Sequence, residues 1–331
     1  MNFYDTLFSF ATVSMHSTII EQPPILLILG PTASGKSALA FAVAKKINAE
    51  IISADSRQVY CELNIGTAKP PKEKLYEVKH HFIDEKNIGE PFSAGKFAAE
   101  AIKRIQNLYL QGKQVVVAGG STLYIEGLLK GFADLPPENP EIRQKLLHEL
   151  ENKGKKHLFK KLLKLDPEQA ETLDPTKTHR LIRSLEIIEI TGKSVTELQK
   201  KGKKAYTNLR FVTVALEMPR ETLYQRINQR TDEMIEAGLC NEAEALYTKY
   251  NPMLTKIKIP SLQSVGYQEL FQYFDGQIDF QTSVNLIQQH TRNYAKRQLT
   301  FFKNRLNVNW VVAPRKHDEL QTLVSHLVKM L

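Results

Sequence analysis

Short apolar runs alternate with longer amphipathic stretches along most of this chain. The apolar runs cover residues 25–29, 50–54, 115–118, 211–216 and 310–312. The first three are followed by Gly30, by Asp55 and by Gly119. Runs of this length that end at turn residues predict buried strands, and the stretches between them predict helices. Strand and helix in alternation predict an α/β fold built on a parallel sheet.

The middle of the chain breaks this alternation. Residues 135–205 contain no convincing strand, open with Pro136, Pro137 and Pro140, and close with a Lys/Gly run at 200–204. Both ends are typical of linkers. The segment holds 16 Lys/Arg against 11 Asp/Glu. We therefore expect a basic helical insertion at 135–205 within a core domain formed by 23–134 and 206–331.

Composition narrows the class of protein. Hydrophobic residues make up 42% and charged residues 24%, and no run reaches 18 apolar residues, so we expect no membrane span. Cys61 and Cys240 are far apart, which argues against a zinc site or a disulfide framework and favours the cytoplasm. Residues 1–22 lack Lys and Arg, and we expect a poorly ordered extension rather than a targeting signal, with Met15 as an alternative start.

One motif carries a specific chemistry. Gly30-Pro31-Thr32-Ala33-Ser34-Gly35-Lys36-Ser37 matches G-x-x-x-x-G-K-[ST] and lies between a predicted strand and a predicted helix. Loop amides and the helix N-terminus bind phosphate, Lys36 adds a charge, and the Ser37 hydroxyl is a ligand for Mg²⁺. The motif predicts a P-loop NTPase-like core that binds a diphosphate or triphosphate, and it does not specify ATP.

Asp55 ends the second predicted strand, at the edge of the sheet where α/β proteins bind ligands. Its carboxylate fits a Mg²⁺ ligand of a motor ATPase, a general base, or a loop cap. The run at 115–120 ends in glycines rather than an acid, which argues against the motor ATPase. The motif alone also leaves open an ATP-dependent small-molecule kinase and an RNA-binding NTPase switch.

Positive charge elsewhere points to a polyanion. The net charge is +9 and the pI about 9.3, which fits either a nucleic-acid partner or a lysine-rich surface. Residues 280–306 hold five Lys/Arg and no Asp/Glu, interleaved with Tyr294, Phe301 and Phe302. Basic and aromatic residues together suit RNA, although the aromatics also suit a core. We interpret His80 and His81 as loop histidines.

The ordered motifs resemble those of the tRNA dimethylallyltransferases. They are Gly30-Pro-Thr-Ala-Ser-Gly-Lys-Ser37, Asp55-Ser-Arg-Gln-Val-Tyr60, Gly66-Thr-Ala-Lys-Pro70, His80-His-Phe-Ile-Asp84, Gly119-Gly-Ser-Thr-Leu-Tyr124, His179-Arg-Leu-Ile-Arg183, Ser264-Val-Gly-Tyr267 and Thr291-Arg-Asn-Tyr-Ala-Lys-Arg-Gln298. The match extends over residues 24–302. The absence of a C-terminal zinc finger favours the bacterial type, whereas Ser121 replaces the usual threonine and Cys61 a common arginine.

The resemblance implies transfer of a dimethylallyl group from dimethylallyl diphosphate to the exocyclic amine of the adenosine 3′ of the anticodon in tRNA. Asp55 would be the base, and Lys36 would stabilise the leaving diphosphate. Arg226 and Arg230, four apart on a predicted helix, resemble further diphosphate ligands. The expected cofactor is Mg²⁺ on Ser37, and the expected state is a monomer.

The same resemblance implies a set of residues that contact the anticodon stem-loop. They are Asp55, Ser56, Arg57, Gln58, Ser121, Arg143, His179, Arg180, Leu181, Ile182, Arg183, Gln263, Ser264, Val265, Gly266, Tyr267, Gln268, Lys296, Arg297, Gln298, Leu299, Thr300, Phe301, Phe302 and Lys303.

Overall fold

A computed structural model describes residues 23–174, 176–202, 209–254 and 259–331. The predicted extension at 1–22 and the predicted domain boundary at 205/206 lie outside the described residues. The strands are β1 (Ile25–Leu29), β2 (Ala49–Ala54), β3 (His80–His81), β4 (Gln114–Gly119), β5 (Phe211–Glu217) and β6 (Asn309–Val312). The helices are α1 (Lys36–Ile47), α2 (Lys72–Glu77), α3 (Ala94–Leu110), α4 (Thr122–Lys130), α5 (Pro140–Leu165), α6 (Pro167–Thr172), α7 (Thr178–Thr191), α8 (Val195–Lys200), α9 (Arg220–Glu236), α10 (Leu239–Leu254), α11 (Tyr267–Phe274), α12 (Phe280–Arg305) and α13 (His317–Val328).

The strands form one parallel sheet in the order β3-β2-β4-β1-β5-β6. Every residue of β1 is buried because both faces of the sheet are covered. Leu27 and Leu29 face one core, which α3, α4 and α10–α12 complete. Leu26 and Ile28 face the other, with α1 and α13. The predicted α/β class and all five predicted strands are confirmed.

β3 corrects one sequence interpretation. His80 and His81 are not loop histidines, because they pair with Ile51 and Ile52 of β2 at the edge of the sheet. A polar two-residue strand has no apolar periodicity by which the sequence could reveal it. The His81 ring bonds the Glu50 carboxylate at 2.6 Å, and the Lys113 ammonium contacts the same carboxylate.

Residues 140–174 and 176–200 are almost entirely helical and contain no strand. Helices α5 to α8 surround a core of their own, in which Leu146, Leu162 and Leu185 are fully buried. Helix α5 is interrupted at Gly154, whose φ of 77° is left-handed. A separate core without a strand is consistent with the predicted insertion.

Hydrogen bonds to Glu242 fix the segment around residues 64–66, which follows β2. The Glu242 carboxylate on α10 accepts hydrogen bonds from the backbone N–H groups of Asn64, Ile65 and Gly66. It also accepts the Tyr267 hydroxyl at 2.6 Å. A Cβ atom on Gly66 would lie 2.6 Å from the Tyr267 ring, so only glycine allows the short 3-10 helix Ile65–Thr67 to lie against the buried tyrosine.

We expect Gly66→Ala to destabilise the protein by about 2 kcal/mol, because the new methyl group overlaps a fully buried aromatic ring. Gly95→Ala is the matched control. A Cβ there approaches only the Ser93 hydroxyl, at 3.9 Å, and alanine favours the helix by up to about 1 kcal/mol. Urea unfolding of both variants checks this. Equal urea midpoints for the two variants would mean that the Tyr267 ring moves aside without a cost in stability.

Candidate functional site

The phosphate-binding loop connects β1 to α1 and has the concave backbone that anions require. Ala33 and Gly35 have positive φ values, 62° and 89°, whereas the residues on either side of each do not have a positive φ. Alternation of this kind turns successive N–H groups toward one point. The Ser34 hydroxyl is buried in this loop without a hydrogen-bond partner among the described residues. An unpaired polar atom in a concave loop fits an oxygen-rich anion such as a diphosphate.

Two side chains from distant helices hold Thr32 of this loop. Gln298 of α12 accepts the Thr32 backbone N–H through Oε1 at 2.9 Å. Arg230 of α9 donates to the Thr32 hydroxyl at 3.3 Å. Arg230, predicted as a diphosphate ligand, therefore lies beside the phosphate loop. Arg226 is half-buried on α9, and no bond from it to the loop occurs within the described parts of the chain.

Lys36 lies at the start of α1 and donates to the Pro31 carbonyl at 3.2 Å. Burial, and then the charge of Arg230, lower the pKa of Lys36 to about 8, while Asp55 opposes part of that shift. Burial also lowers the pKa of Arg230, against the raising effect of Asp55 and Glu233. Two cations and one carboxylate thus interact at the loop, and an added anion would be attracted by both cations.

Asp55 follows β2 at the carboxyl end of the sheet. Its Oδ1 atom accepts the backbone N–H groups of Arg57 and Gln58, at 2.8 and 3.3 Å. The loop-cap interpretation is therefore correct for Oδ1. No hydrogen bond to Oδ2 occurs among the residues that the structure describes, so this oxygen can accept a proton. Asp55 is half-buried, and its negative charge offsets part of the lowering of the Lys36 pKa.

Neighbouring groups fix the loop that carries Asp55. The Ser121 hydroxyl, at the start of α4, accepts the Ser56 N–H at 2.8 Å. Gln58 donates to the carbonyls of Thr67 and Ala68 and accepts the Ser53 hydroxyl at 3.2 Å. Gln58 therefore joins Asp55 to the segment held by Glu242. Sequence analysis missed Glu242, because a glutamate on a helix gives no signal until the backbone that it caps is known.

Helix α12 presents an exposed polar stripe on the side away from the core. The stripe lines a shallow groove of about 510 Å³, formed by Asn293, Lys296, Arg297, Thr300, Phe301, Asn304 and Arg305. Lys303 is also exposed and lies over the Trp310 ring, at 5.3 Å from its centroid. Tyr294 is 37% exposed, with Arg297 at 5.9 Å from the centre of its ring. These groups suit phosphate and a stacked base.

Several residues that the resemblance assigned to tRNA are buried instead. They are Leu181, Ile182, Gly266, Tyr267, Gln298, Phe302 and, at 7% exposure, Ser121. Their predicted contact with tRNA stays a prediction, and burial leaves these residues little surface to offer to RNA in this conformation. Their neighbours in each motif carry the exposed groups. A helix places adjacent residues on different faces, so a linear motif mixes contact residues with core residues.

The remaining predicted residues have at least part of their surface in solvent. Exposed are His179, Arg180, Gln263, Lys296, Arg297, Thr300 and Lys303, and half-buried are Ser56, Arg57, Gln58, Arg143, Arg183, Ser264, Val265, Gln268, Leu299 and Phe301. Arg143 and Arg183 both reach the buried Glu186 carboxylate, at 3.5 and 2.9 Å, so an RNA contact would compete with these ion pairs. No helix among the described residues is long and apolar enough to span a membrane.

A parallel sheet with this loop after β1 defines the P-loop NTPase-like class of proteins, here with a site built for a phosphorylated ligand. Comparison with known proteins makes the assignment specific. The family model described as IPP transferase matches residues 58–305. The chain belongs to this family.

Similar proteins agree on one activity. The tRNA dimethylallyltransferase of Pelodictyon phaeoclathratiforme is 64% identical over 310 residues, which are 93% of this chain and 98% of the relative. The full-length tRNA isopentenylpyrophosphate transferase of Bacillus halodurans is 33% identical with a TM-score of 0.66, over 92% of this chain and 96% of that one. A eukaryotic dimethylallyltransferase acting on tRNA is 27% identical with a TM-score of 0.79, over 92% and 78%.

We expect the affinity for an alkyl diphosphate to fall as the pH rises above about 8, because Lys36 then loses its proton in the free protein. A terminal phosphate has a pKa near 6, so the ligand stays fully ionised across this range. The decline should approach tenfold per pH unit. Calorimetry between pH 7 and 9.5 measures it.

Lys36→Arg is the control for this pH dependence, because a guanidinium keeps its proton throughout the range. Its affinity, whatever its absolute value, should be flat between pH 7 and 9.5. A flat profile in the unmodified protein would show that Lys36 does not change its charge at the site.

Proposed function

We propose that this chain transfers a dimethylallyl group from dimethylallyl diphosphate to the exocyclic amine of the adenosine 3′ of the anticodon in tRNA, releasing diphosphate. The observation that carries this proposal is the meeting of three features at one edge of the sheet. These are the phosphate loop, the Asp55 carboxylate, and the basic and aromatic face of α12. A diphosphate leaving group, a base and an RNA surface are what the reaction needs.

In the proposed step, the bond between the prenyl carbon and the diphosphate oxygen breaks as the adenine nitrogen bonds to that carbon. The nitrogen gives its proton to Asp55 Oδ2, and the electron pair of the broken bond leaves with the diphosphate. Lys36, Arg230 and the loop N–H groups stabilise the charge that develops there. Oδ1 keeps its two backbone hydrogen bonds, so the carboxylate is held in place during the transfer.

Mg²⁺ is part of the proposal. The exposed Ser37 hydroxyl at the start of α1 would be one oxygen ligand, and phosphate oxygens and water would supply the others, as Mg²⁺ commonly requires. When bound, the ion would neutralise charge on the diphosphate. The Ser34 hydroxyl, which has no hydrogen-bond partner within the described ranges, adds to the polar character of the loop.

The adenine must leave the anticodon stack to reach Asp55. Tyr294 would receive the base, because this residue is 37% exposed and its phenol lies near enough to Asp55 to interact with that charge. Burial and then Asp55 raise the pKa of this phenol to about 12. Its exposed ring face offers a stacking surface, and Arg297 beside it offers a charge for the backbone phosphates.

The tRNA arm and the cellular setting are further parts of the proposal. Residues 135–205 would hold the anticodon stem, and the protein would act as a monomer. A tRNA substrate in a chain similar to bacterial enzymes supports a cytoplasmic location.

The direct test is mass spectrometry of tRNA nucleosides after incubation with the protein and dimethylallyl diphosphate. We expect one adenosine per tRNA to gain the mass of a dimethylallyl group, only when the donor is present. A parallel reaction with ATP and no prenyl donor tests for a kinase or an NTPase switch. Consumption of ATP in this parallel reaction, together with no modified adenosine in the reaction that contains the donor, would overturn the proposal.

Asp55→Asn should cut turnover by roughly 10²-fold or more, the usual scale for a general base. An amide oxygen at Oδ1 can still accept from Arg57 and Gln58, so we expect the melting temperature and tRNA affinity to stay near those of the unmodified protein. Asp55→Ala should lose the same turnover and about 1 kcal/mol of stability besides. Single-turnover assays and thermal melts measure both. Turnover within a few-fold of normal in Asp55→Asn would remove Asp55 as the base.

Arg180 and Arg183 should respond differently to neutralisation. Arg180 is exposed, and no ion pair of its side chain occurs in the parts of the chain described. Arg180→Gln should flatten the dependence of tRNA affinity on salt by about one unit of log–log slope, as expected for one lost phosphate contact. Stability should be unchanged.

Arg183→Gln should instead lower stability, by about 1–3 kcal/mol, because it removes a partner of the buried Glu186 carboxylate and of the Pro136 carbonyl. The log–log slope of its tRNA affinity against salt concentration should stay near that of the unmodified protein. Filter binding across a salt series, with urea unfolding alongside, separates the two variants. A steep loss of slope in Arg183→Gln would mean that the ion pair opens to meet RNA.

A further inference from the structure

Gln298 joins two loops of the site from inside the protein. It lies on the core-facing side of α12, and only 2% of its surface is exposed. Its Oε1 atom accepts the Thr32 backbone N–H at 2.9 Å, and its Nε2 atom donates to the Gly120 carbonyl at 2.8 Å. Both polar atoms of the amide are therefore bonded to main-chain atoms, whose positions do not depend on side-chain rotamers.

Each of the two loops carries a different part of the reaction. Thr32 belongs to the phosphate loop, and its hydroxyl receives Arg230. Gly120 follows β4 and precedes Ser121, whose hydroxyl holds Ser56 next to Asp55. A side chain that bonds both loops fixes the distance between the diphosphate subsite and the base.

Gly120 makes room for this connection. A Cβ atom on residue 120 would overlap the Nε2 atom of Gln298, whereas it would come no closer than 3.3 Å to the Gly30 carbonyl and 3.5 Å to the Lys36 side chain. The amide of Gln298 thus occupies the space that a side chain at residue 120 would need. This explains why glycine is suited to that position without any unusual backbone angle.

We propose that Gln298 is a positioning residue of the diphosphate subsite and not a tRNA contact, although it stands in the middle of a motif that carries exposed RNA-facing side chains. The reason is geometric: Lys296 and Arg297 point outward, and Gln298 points to the phosphate loop. The identity of the ligand, a diphosphate, rests on the proposed function. The positioning role of Gln298 rests on its hydrogen bonds alone.

Gln298→Met tests the assignment, since methionine has a similar length and volume but lacks both hydrogen-bonding groups. We expect the affinity for inorganic diphosphate to weaken roughly tenfold, because the Thr32 loop loses its inner support. Affinity for the anticodon stem-loop should stay within about twofold, and the KM for the prenyl donor should rise while the KM for tRNA does not. Calorimetry, filter binding and initial rates give the three readouts.

Gln288→Met is the matched control. Gln288 lies on the same helix and bonds Asp232 at 2.9 Å, away from both loops. The same chemical change there should leave diphosphate affinity unaltered. An equal loss in both variants would indicate a general weakening of α12 and would overturn the positioning role.

Gly120→Ala provides a second route that leaves Gln298 itself intact. The added methyl group displaces the amide, so this variant should reproduce the loss of diphosphate affinity. The double variant should lose little more than either single one, because both break the same connection. Additive losses would mean that alanine acts through Lys36, and would contradict the assignment. If Gln298→Met fails to fold by urea unfolding, Gly120→Ala alone decides.

Three other results would overturn the proposal: unchanged diphosphate affinity in Gln298→Met, tighter diphosphate binding, or a loss confined to tRNA. The calorimetry uses diphosphate without prenyl donor or RNA. The role of Gln298 can therefore be judged even if the unmodified protein transfers no dimethylallyl group, an outcome that would refute the proposed function and leave this measurement intact.

Discussion

Burial of two cations, Lys36 and Arg230, beside the phosphate loop is the constraint around which the site is built. Each is drawn into the protein beside the phosphate loop, and burial lowers the pKa of both. Asp55 offsets part of this cost for both cations. A bound diphosphate would offset much more, because it carries several negative charges into the same space. The arrangement therefore favours an anion over an empty loop and couples Asp55 electrostatically to the phosphate loop.

Keeping that arrangement requires rigid surroundings, and polar side chains that bond the main chain supply them. Glu242 holds the 3-10 helix, Gln58 joins this helix to the Asp55 loop, and Ser121 fixes the loop from the other side. Each bond satisfies a main-chain group that is partly shielded from water. The chain thus uses its irregular segments, rather than only its strands, to set the geometry at the sheet edge.

The sequence was sufficient for the sheet and the loop because both leave local signals. Apolar runs ending at turn residues predicted five of the strands, and the phosphate motif predicted the start of α1 at Lys36. It was insufficient where a role depends on distant partners. Edge strand β3 is two polar residues, Glu242 is an ordinary helix glutamate until its backbone partners are in place, and the pairing of Arg183 with Glu186 competes with an RNA role that the motif suggested.

Helix α12 shows why motifs and contacts differ. Residues 296–303 form one continuous motif in the sequence, but a helix turns about 100° per residue, so the motif is divided between two environments. Ala295, Gln298 and Phe302 face inward, while Lys296, Arg297 and Thr300 face the groove. One element therefore supports the diphosphate subsite on its inner side and, in the proposed function, meets tRNA on its outer side. In the proposed function, a shift of α12 on RNA binding would be transmitted to the phosphate loop through the hydrogen bonds of Gln298 to Thr32 and Gly120.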